Sequence, residues 1–203
     1  MKPVIGLVGA IGAGKSTAAA AFARRGGIAV DADQLGHDAL EQPEIRQLVL
    51  DRWARRGNLL KPDGRLDRRA IAAIVFANPQ ERTALEGMVF PYIGRRALDQ
   101  IHRAQADAET KFIVVDAAVM LEAGWEEVCD RILYVDAPRS VRLARLAARS
   151  GWSDADLAAR EAAQWPAEKK MKRAAAVIVN DGSREKLQDQ VDRLLEKWGI
   201  ELS

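Results

Sequence analysis

Apolar residues fall into five short, nearly continuous runs separated by longer amphipathic stretches. Val4-Ile5-Gly6-Leu7-Val8, Ile28-Ala29-Val30, Phe112-Ile113-Val114-Val115, Ile132-Leu133-Tyr134-Val135 and Ala176-Val177-Ile178-Val179 are the right length for strands, and their lack of polar alternation suits a buried parallel sheet. Helical periodicity follows the first run from Thr17 to Arg25, the fourth from Arg139 to Arg149, and the fifth from Arg184 to Lys197. Strands alternating with helices predict an α/β fold with a five-stranded parallel sheet in three α/β/α layers.

The spacing of the runs is uneven. Between the second and third lie about seventy residues with helical patterning only, much longer than an ordinary crossover. Asp38–Arg56, Arg68–Phe76 and Pro79–Arg103 are the expected helices, the last bent or broken near Pro91. Residues 35–109 therefore read as a helical substrate-binding insertion. After the fourth run, a helical hairpin over 139–173 carries Arg139, Arg142, Arg145 and Arg149, then Arg160, Gln164, Trp165 and Glu168-Lys169-Lys170. It reads as a small lid, with a solvated amphipathic pair as the alternative. The core is left with about 1–34, 110–138 and 174–203, so the whole chain forms one domain carrying two inserts.

Gly9-Ala10-Ile11-Gly12-Ala13-Gly14-Lys15-Ser16 fits G-x-x-x-x-G-K-[ST] at every fixed position. Glycines let successive backbone N–H groups converge on one concavity, and the next helix adds its unpaired amides and positive dipole end. Lys15 can reach the β- and γ-phosphates, and the Ser16 hydroxyl is placed to ligate a magnesium ion shared with the nucleotide. A strand before and a helix after make this a P-loop NTPase core rather than a chance glycine turn. Ala10, Ile11, Gly12, Ala13, Gly14, Lys15, Ser16 and Thr17 are the expected nucleotide contacts. The loop alone says only that a nucleoside triphosphate docks.

Carboxylates supply the next constraint. In open α/β sheets the ligand lies beyond the carboxyl ends of the strands, and the second strand ends on Asp31-Ala32-Asp33. Both acids are candidates there; Asp33 is the stronger for an acceptor hydroxyl, and either could cap a helix instead. Asp116 ends the third strand as a Walker B-type carboxylate, holding the metal through water or accepting from Ser16, unless it caps the following turn. Lid arginines, Arg145 and Arg149 among them, would neutralise charge as the γ-phosphoryl moves.

Composition narrows the class. The 203 residues are 48% hydrophobic and 30% charged, ordinary for a folded globular protein. No apolar stretch approaches a membrane span, and the N-terminus runs directly into a strand the loop requires, which argues against a removable signal peptide. A cytoplasmic protein is expected. Cys129 is the single cysteine, which rules out an internal disulfide. Net charge is +2 and aromatics are 5%, with no basic stripe for nucleic acid. No Asn-Lys-x-Asp guanine-reading motif is present.

Taken in order, Gly6 to Ser16, Asp31-Ala32-Asp33 with His37, Gly64-Arg65-Leu66-Asp67-Arg68-Arg69 leading to Val75-Phe76, Asp116 to Gly124, and Asn180-Asp181-Gly182 resemble the dephospho-coenzyme A kinase family over nearly the whole chain. The resemblance implies transfer of the γ-phosphoryl of ATP, with Mg2+, to the ribose 3′-hydroxyl of dephospho-coenzyme A. It casts Asp33 as the residue that orients or deprotonates that hydroxyl, His37, Arg65, Asp67, Arg68 and Glu86 as substrate contacts, and Asn180 and Gly182 as nucleotide contacts. Small-molecule substrates, no nucleic acid or membrane partner, and a monomer are expected. Four sites depart from the family's usual pattern: Ala10 replaces a glycine, Phe90-Pro91 a His-Pro pair, Ala118 a proline, and Arg149-Ser150 an Arg-Asp pair. Other P-loop small-molecule kinases are the alternative.

Overall fold

The five apolar runs become β1 (Val4–Gly9), β2 (Gly27–Asp31), β3 (Phe112–Asp116), β4 (Arg131–Asp136) and β5 (Ala176–Val179) in a computed structural model of the chain, which describes residues 1–201. They form one all-parallel sheet in the order β2-β3-β1-β4-β5. β1 lies at the centre, and every residue of β1 and β3 is buried. That is why neither strand alternates polar with apolar residues.

Helices α1 (Lys15–Ala23) and α9 (Arg184–Lys197) cover one face. Phe22 of α1 and Leu187, Val191 and Leu195 of α9 close over Ile5, Leu7, Phe112 and Leu133. Phe22 and Phe112 meet edge to face with centroids 6.0 Å apart. On the opposite face Gly6 lies against Met120, Ile132 and Cys129, where a Cβ would not fit. Burial pushes the Cys129 thiol up to about 12, with the charges of Asp130 and Glu126 adding; it is an inert apolar filler. β5 is an edge strand, and the Gln190 carboxamide takes the place of a neighbour by accepting from Val179 N–H at 2.9 Å and donating to its carbonyl at 2.8 Å. A ready template for aggregation is thereby blunted.

Three helices follow β4: α6 (Arg139–Ser150), α7 (Asp154–Glu161) and α8 (Ala167–Met171). The hairpin expected over 139–173 has two helices, not one, in its second arm. That arm is split because Pro166 stands immediately before α8 in extended geometry, φ −54° and ψ 142°, and proline cannot continue a helix from its own missing N–H. Ser153 and Asp156 start α7 with a reciprocal capping box.

The chain divides into two compact units, Met1–Asp31 with the chain from Asp99 onward, and Ala32–Leu98. The second is helical: α2 (Ala32–Leu40), α3 (Pro43–Trp53), α4 (Arg68–Ala77) and the part of α5 (Pro79–Ala106) up to Leu98. Its anchor is the buried Glu81, which accepts from Arg52 Nε at 2.7 Å, Trp53 Nε1 at 2.9 Å and Arg56 Nη2 at 2.6 Å. Hydrogen bonding from Trp53, then Arg52, holds the Glu81 carboxyl below the usual carboxylate range.

Two helical expectations are corrected here. Asp38–Arg56 is not one helix, because Pro43 at the start of α3 fixes a new N-terminus and a short 3-10 turn carries Ala54–Arg56. The helix of Pro79–Arg103 is not broken at Pro91: α5 runs through it. Residue i−4 there is Gly87, with no Cβ, and both positions are exposed, so water can satisfy the carbonyl that proline leaves without a donor.

Candidate active site

β1 ends at Gly9, and the loop reaches α1 through Gly12 and Gly14 at φ 79° and 86°. These are left-handed values that only glycine adopts without strain. Space imposes glycine as well. A Cβ on Gly12 would lie 2.9 Å from Leu146 Cδ1 and 3.1 Å from the Arg142 carbonyl, and one on Gly14 would collide with the Asn180 amide. No side chain caps α1, so its first-turn amides are left for a ligand.

The loop's carbonyls are held from outside. Asn180 Nδ2 donates to the Ala13 carbonyl at 2.8 Å, Arg145 Nη1 approaches the same oxygen at 3.4 Å, and Arg142 Nη1 donates to the Ile11 carbonyl at 3.0 Å. C=O and N–H point in opposite directions across a trans peptide. Turning the carbonyls of Ile11 and Ala13 toward these donors therefore turns the N–H groups of Gly12 and Gly14 the other way. Lys15 and Ser16 open α1, Lys15 half-buried and Ser16 and Thr17 exposed.

Asp116 ends β3 and is buried; its register partners are Leu7 on β1 and Asp31 on β2. In-register neighbours on parallel strands project to one face, with the strands about 4.8 Å apart, so the side chains of Asp31 and Asp116 leave the carboxyl end of the sheet on the same face. Asp33 comes two residues after the end of β2. It stands exposed in the first turn of α2, where the helix dipole favours a negative charge.

Beside Gly9, Ala10 and Ile11 lies a cavity of about 130 Å³ whose other walls include Tyr134, Trp165 and Lys170. The Lys170 ammonium is buried and donates to the Ala118 carbonyl at 2.9 Å and Gln164 Oε1 at 3.0 Å, with Glu122 Oε1 at 2.9 Å as counter-ion. Burial pulls its pKa down, the nearby Lys15 charge adds to that, and Glu122 opposes it. The Tyr134 hydroxyl is buried with no partner among the described residues, and burial, then the charge of Asp136, raises its pKa.

In the helical unit a second cavity, of about 270 Å³, is lined by His37, Lys61, Arg65 and Arg68, with Asp38 and Glu41 also on its wall. Three of the expected substrate residues thus share one basic pocket. Asp67 is engaged elsewhere: its carboxylate caps α4, accepting from Arg69 N at 2.9 Å and Ala70 N at 3.4 Å. Glu86 is on α5, 3.9 Å from Arg82. Gly182 is exposed in the turn after β5, and Arg149 is exposed near the end of α6.

Arg142 and Lys170 were placed on the lid hairpin by their charge, but their contacts at the loop and beside it were not legible, because the groups they serve are the backbone carbonyls of Ile11 and Ala118 and leave no mark in a motif.

The profile of the dephospho-CoA kinase family matches residues 3–186. This chain belongs to that family. The chain is 39% identical to the dephospho-CoA kinase of Anaeromyxobacter dehalogenans over 194 residues, covering 95% of this chain and 90% of that one. Identity to the Geobacillus kaustophilus dephospho-CoA kinase is 36% over 200 residues, 98% of each chain. A Thermus thermophilus crystal structure superposes with a TM-score of 0.80 at 35% identity, covering 97% of both chains. As a dephospho-CoA kinase family member the chain is a phosphotransferase that uses a nucleotide. Among the described residues no helix is long and apolar enough to cross a membrane.

Proposed function

We propose that this chain transfers the γ-phosphoryl of ATP to the ribose 3′-hydroxyl of dephospho-coenzyme A, the last step of coenzyme A synthesis, as a cytoplasmic monomer acting on diffusible small molecules. The observation that carries the donor side is the glycine loop with its carbonyls turned outward onto Asn180, Arg142 and Arg145. Ala10 to Thr17 would take the triphosphate, Lys15 as a point charge on the β- and γ-oxygens, with Asn180 and Gly182 completing the nucleotide site.

The donor set suits Mg2+: the Ser16 hydroxyl and the Asp116 carboxylate, with Asp31 in register beside it, are hard oxygen ligands of the kind that ion takes together with substrate phosphates. Bound there, it would supply neutralisation of charge on the phosphoryl oxygens.

Phosphoryl transfer asks the protein for positioning and electrostatics more than for covalent chemistry. Asp33 would accept the hydrogen bond of the 3′-hydroxyl, aiming the oxygen's lone pair at the γ-phosphorus and taking the hydroxyl proton as the new P–O bond forms and the bond to the β–γ bridging oxygen breaks, releasing ADP. Arg65, Arg68 and His37, which line one basic pocket, would bind the anionic coenzyme; Asp67 would shape that wall through its cap on α4, and Glu86 would contact the substrate from α5. Arg145 and Arg149 would meet the moving phosphoryl from α6.

The test is to incubate the protein with ATP and Mg2+ and a panel of dephospho-coenzyme A, adenosine and nucleoside monophosphates, and to weigh the products. A gain of one phosphoryl confined to dephospho-coenzyme A is expected; a gain confined to a nucleoside monophosphate would overturn the reading.

A further inference from the structure

Arg142 is unusual among the arginines of α6 in being buried, with its side chain 10% exposed. Its three hydrogen bonds run to three different parts of the chain. Nε donates to the Ala137 carbonyl in the turn after β4 at 3.1 Å, and Nη1 donates both to the Ile11 carbonyl at 3.0 Å and to Glu161 Oε1 at 2.6 Å. Glu161 is the last residue of α7, and Arg139 Nε stands 3.9 Å from its other oxygen. The Arg142 carbonyl also lies close beside Gly12, 3.1 Å from where a Cβ there would stand.

We infer that Arg142 is a positioning residue, which holds the phosphate loop in its binding shape and, through Glu161, ties the end of α7 to that loop. The physical case has two parts. A carbonyl turned into an anion site repels the anion, so each loop carbonyl needs an outside donor; Arg142 supplies one at Ile11 and thereby fixes where the Gly12 N–H points. A buried guanidinium also needs a counter-charge. Glu161 provides it from the hairpin, so the ion pair that neutralises Arg142 also fastens α7. Nε reaches the Ala137 carbonyl while Nη1 serves Ile11 and Glu161, so the planar guanidinium holds all three acceptors in one fixed geometry that the point-like ammonium of a lysine does not reproduce.

The inference rests on the kinase reading above for its second half, because a loosened hairpin matters only if it shields a phosphoryl transfer from water. The experiment uses the full chain and the variants Arg142→Gln and Glu161→Gln, with folding checked by thermal melts. ADP affinity is measured by calorimetry, and the ATP lost to water is compared with that transferred to dephospho-coenzyme A.

Arg142→Gln should weaken ADP binding about tenfold, the scale of one lost charge-assisted hydrogen bond. Glu161→Gln should leave ADP affinity within about twofold while raising the ratio of hydrolysis to transfer about threefold or more, as expected when water exclusion is relaxed. A merely structural ion pair would lower the melting temperature and move neither quantity. Should Arg142→Gln not fold, Arg142→Lys carries the same expectation for ADP. Unaltered ADP affinity in a folded Arg142 variant, or an unaltered hydrolysis ratio in Glu161→Gln, would overturn the assignment. Absence of transfer by the wild-type protein would instead overturn the proposed function, with the ADP measurement still deciding the role of Arg142 at the loop.

Discussion

The cradle after β1 is made of backbone, and the pocket beside α2 is made of side chains. In the cradle, positive φ at Gly12 and Gly14 and outside donors to the carbonyls of Ile11 and Ala13 set the direction of each amide. The groups that face the ligand are backbone amides, Lys15 excepted, and the side chains of Arg142 and Asn180 that hold them are buried. In the pocket, His37, Lys61, Arg65 and Arg68 are all exposed, and Arg65 is engaged in an exposed ion pair with Asp63 at 2.7 Å. Such pairs contribute little to stability, so the arginine can exchange its partner for a substrate phosphate at small cost. The cradle is preorganised for one kind of group, while the pocket gathers charge that a ligand would order.

This contrast predicts unequal consequences for substitution. The largest should come from Lys15→Ala, which removes the one charged side chain of the cradle: turnover should fall about a thousandfold, the upper end of what a single preorganised electrostatic contact supplies. Retained turnover in a steady-state assay would take the loop out of the chemistry. Next comes Asp33→Asn, expected to cut kcat about a hundredfold, within the reach of general-base catalysis, while the KM for ATP stays where it was. Near-normal turnover there would end the assignment of Asp33 and leave the cradle untouched.

A smaller effect is expected at the pocket. Arg65→Ala should raise the KM for dephospho-coenzyme A about tenfold, one charge-assisted contact's worth, with kcat and the KM for ATP little changed. A shift in the ATP constant instead would erase the distinction between the two surfaces. Smallest is a stability effect at the helical anchor. Because the folded Glu81 carboxyl titrates below its ordinary value, its contribution is present above the unfolded carboxylate range and is lost as pH falls through the folded pKa. Melting temperatures taken at neutral pH and near pH 4 should therefore drop more for the wild type than for Glu81→Gln, which has no proton to gain. Equal drops would remove Glu81 as the source.

The same contrast explains what could be read from the residues alone. A site built of backbone needs glycines at fixed spacing, and those spell a motif; Gly9 to Ser16 and the five strands were legible for that reason. The place of Asp116 at the end of the third strand was legible from the apolar run that leads to it. By contrast, α2 was missed as a helix beginning at Ala32, since Asp31, Asp33 and Gly36 weaken the helical signal that Ala32, Gln34 and Leu35 supply. Tertiary packing decides it: Ala32, Leu35, Ala39 and Leu40 are buried, and Gly36 lies against Ile93. Asp67 was cast as a substrate contact by the family resemblance; in the fold its carboxylate caps the helix that starts at Arg68. Arg142 and Lys170 look like their exposed neighbours in sequence; only the fold reveals that each ends on a backbone carbonyl, at Ile11 and Ala118.

The claim that donor and acceptor surfaces are built separately is tested most directly by calorimetric titration of ADP and of dephospho-coenzyme A, each against the wild type, Lys15→Ala and the Arg65→Ala/Arg68→Ala double variant. The account predicts a crossed pattern, in which Lys15→Ala loses ADP and keeps dephospho-coenzyme A, and the arginine pair does the reverse. Loss of both ligands from one folded variant, or dephospho-coenzyme A affinity unmoved by removing both arginines, would contradict it.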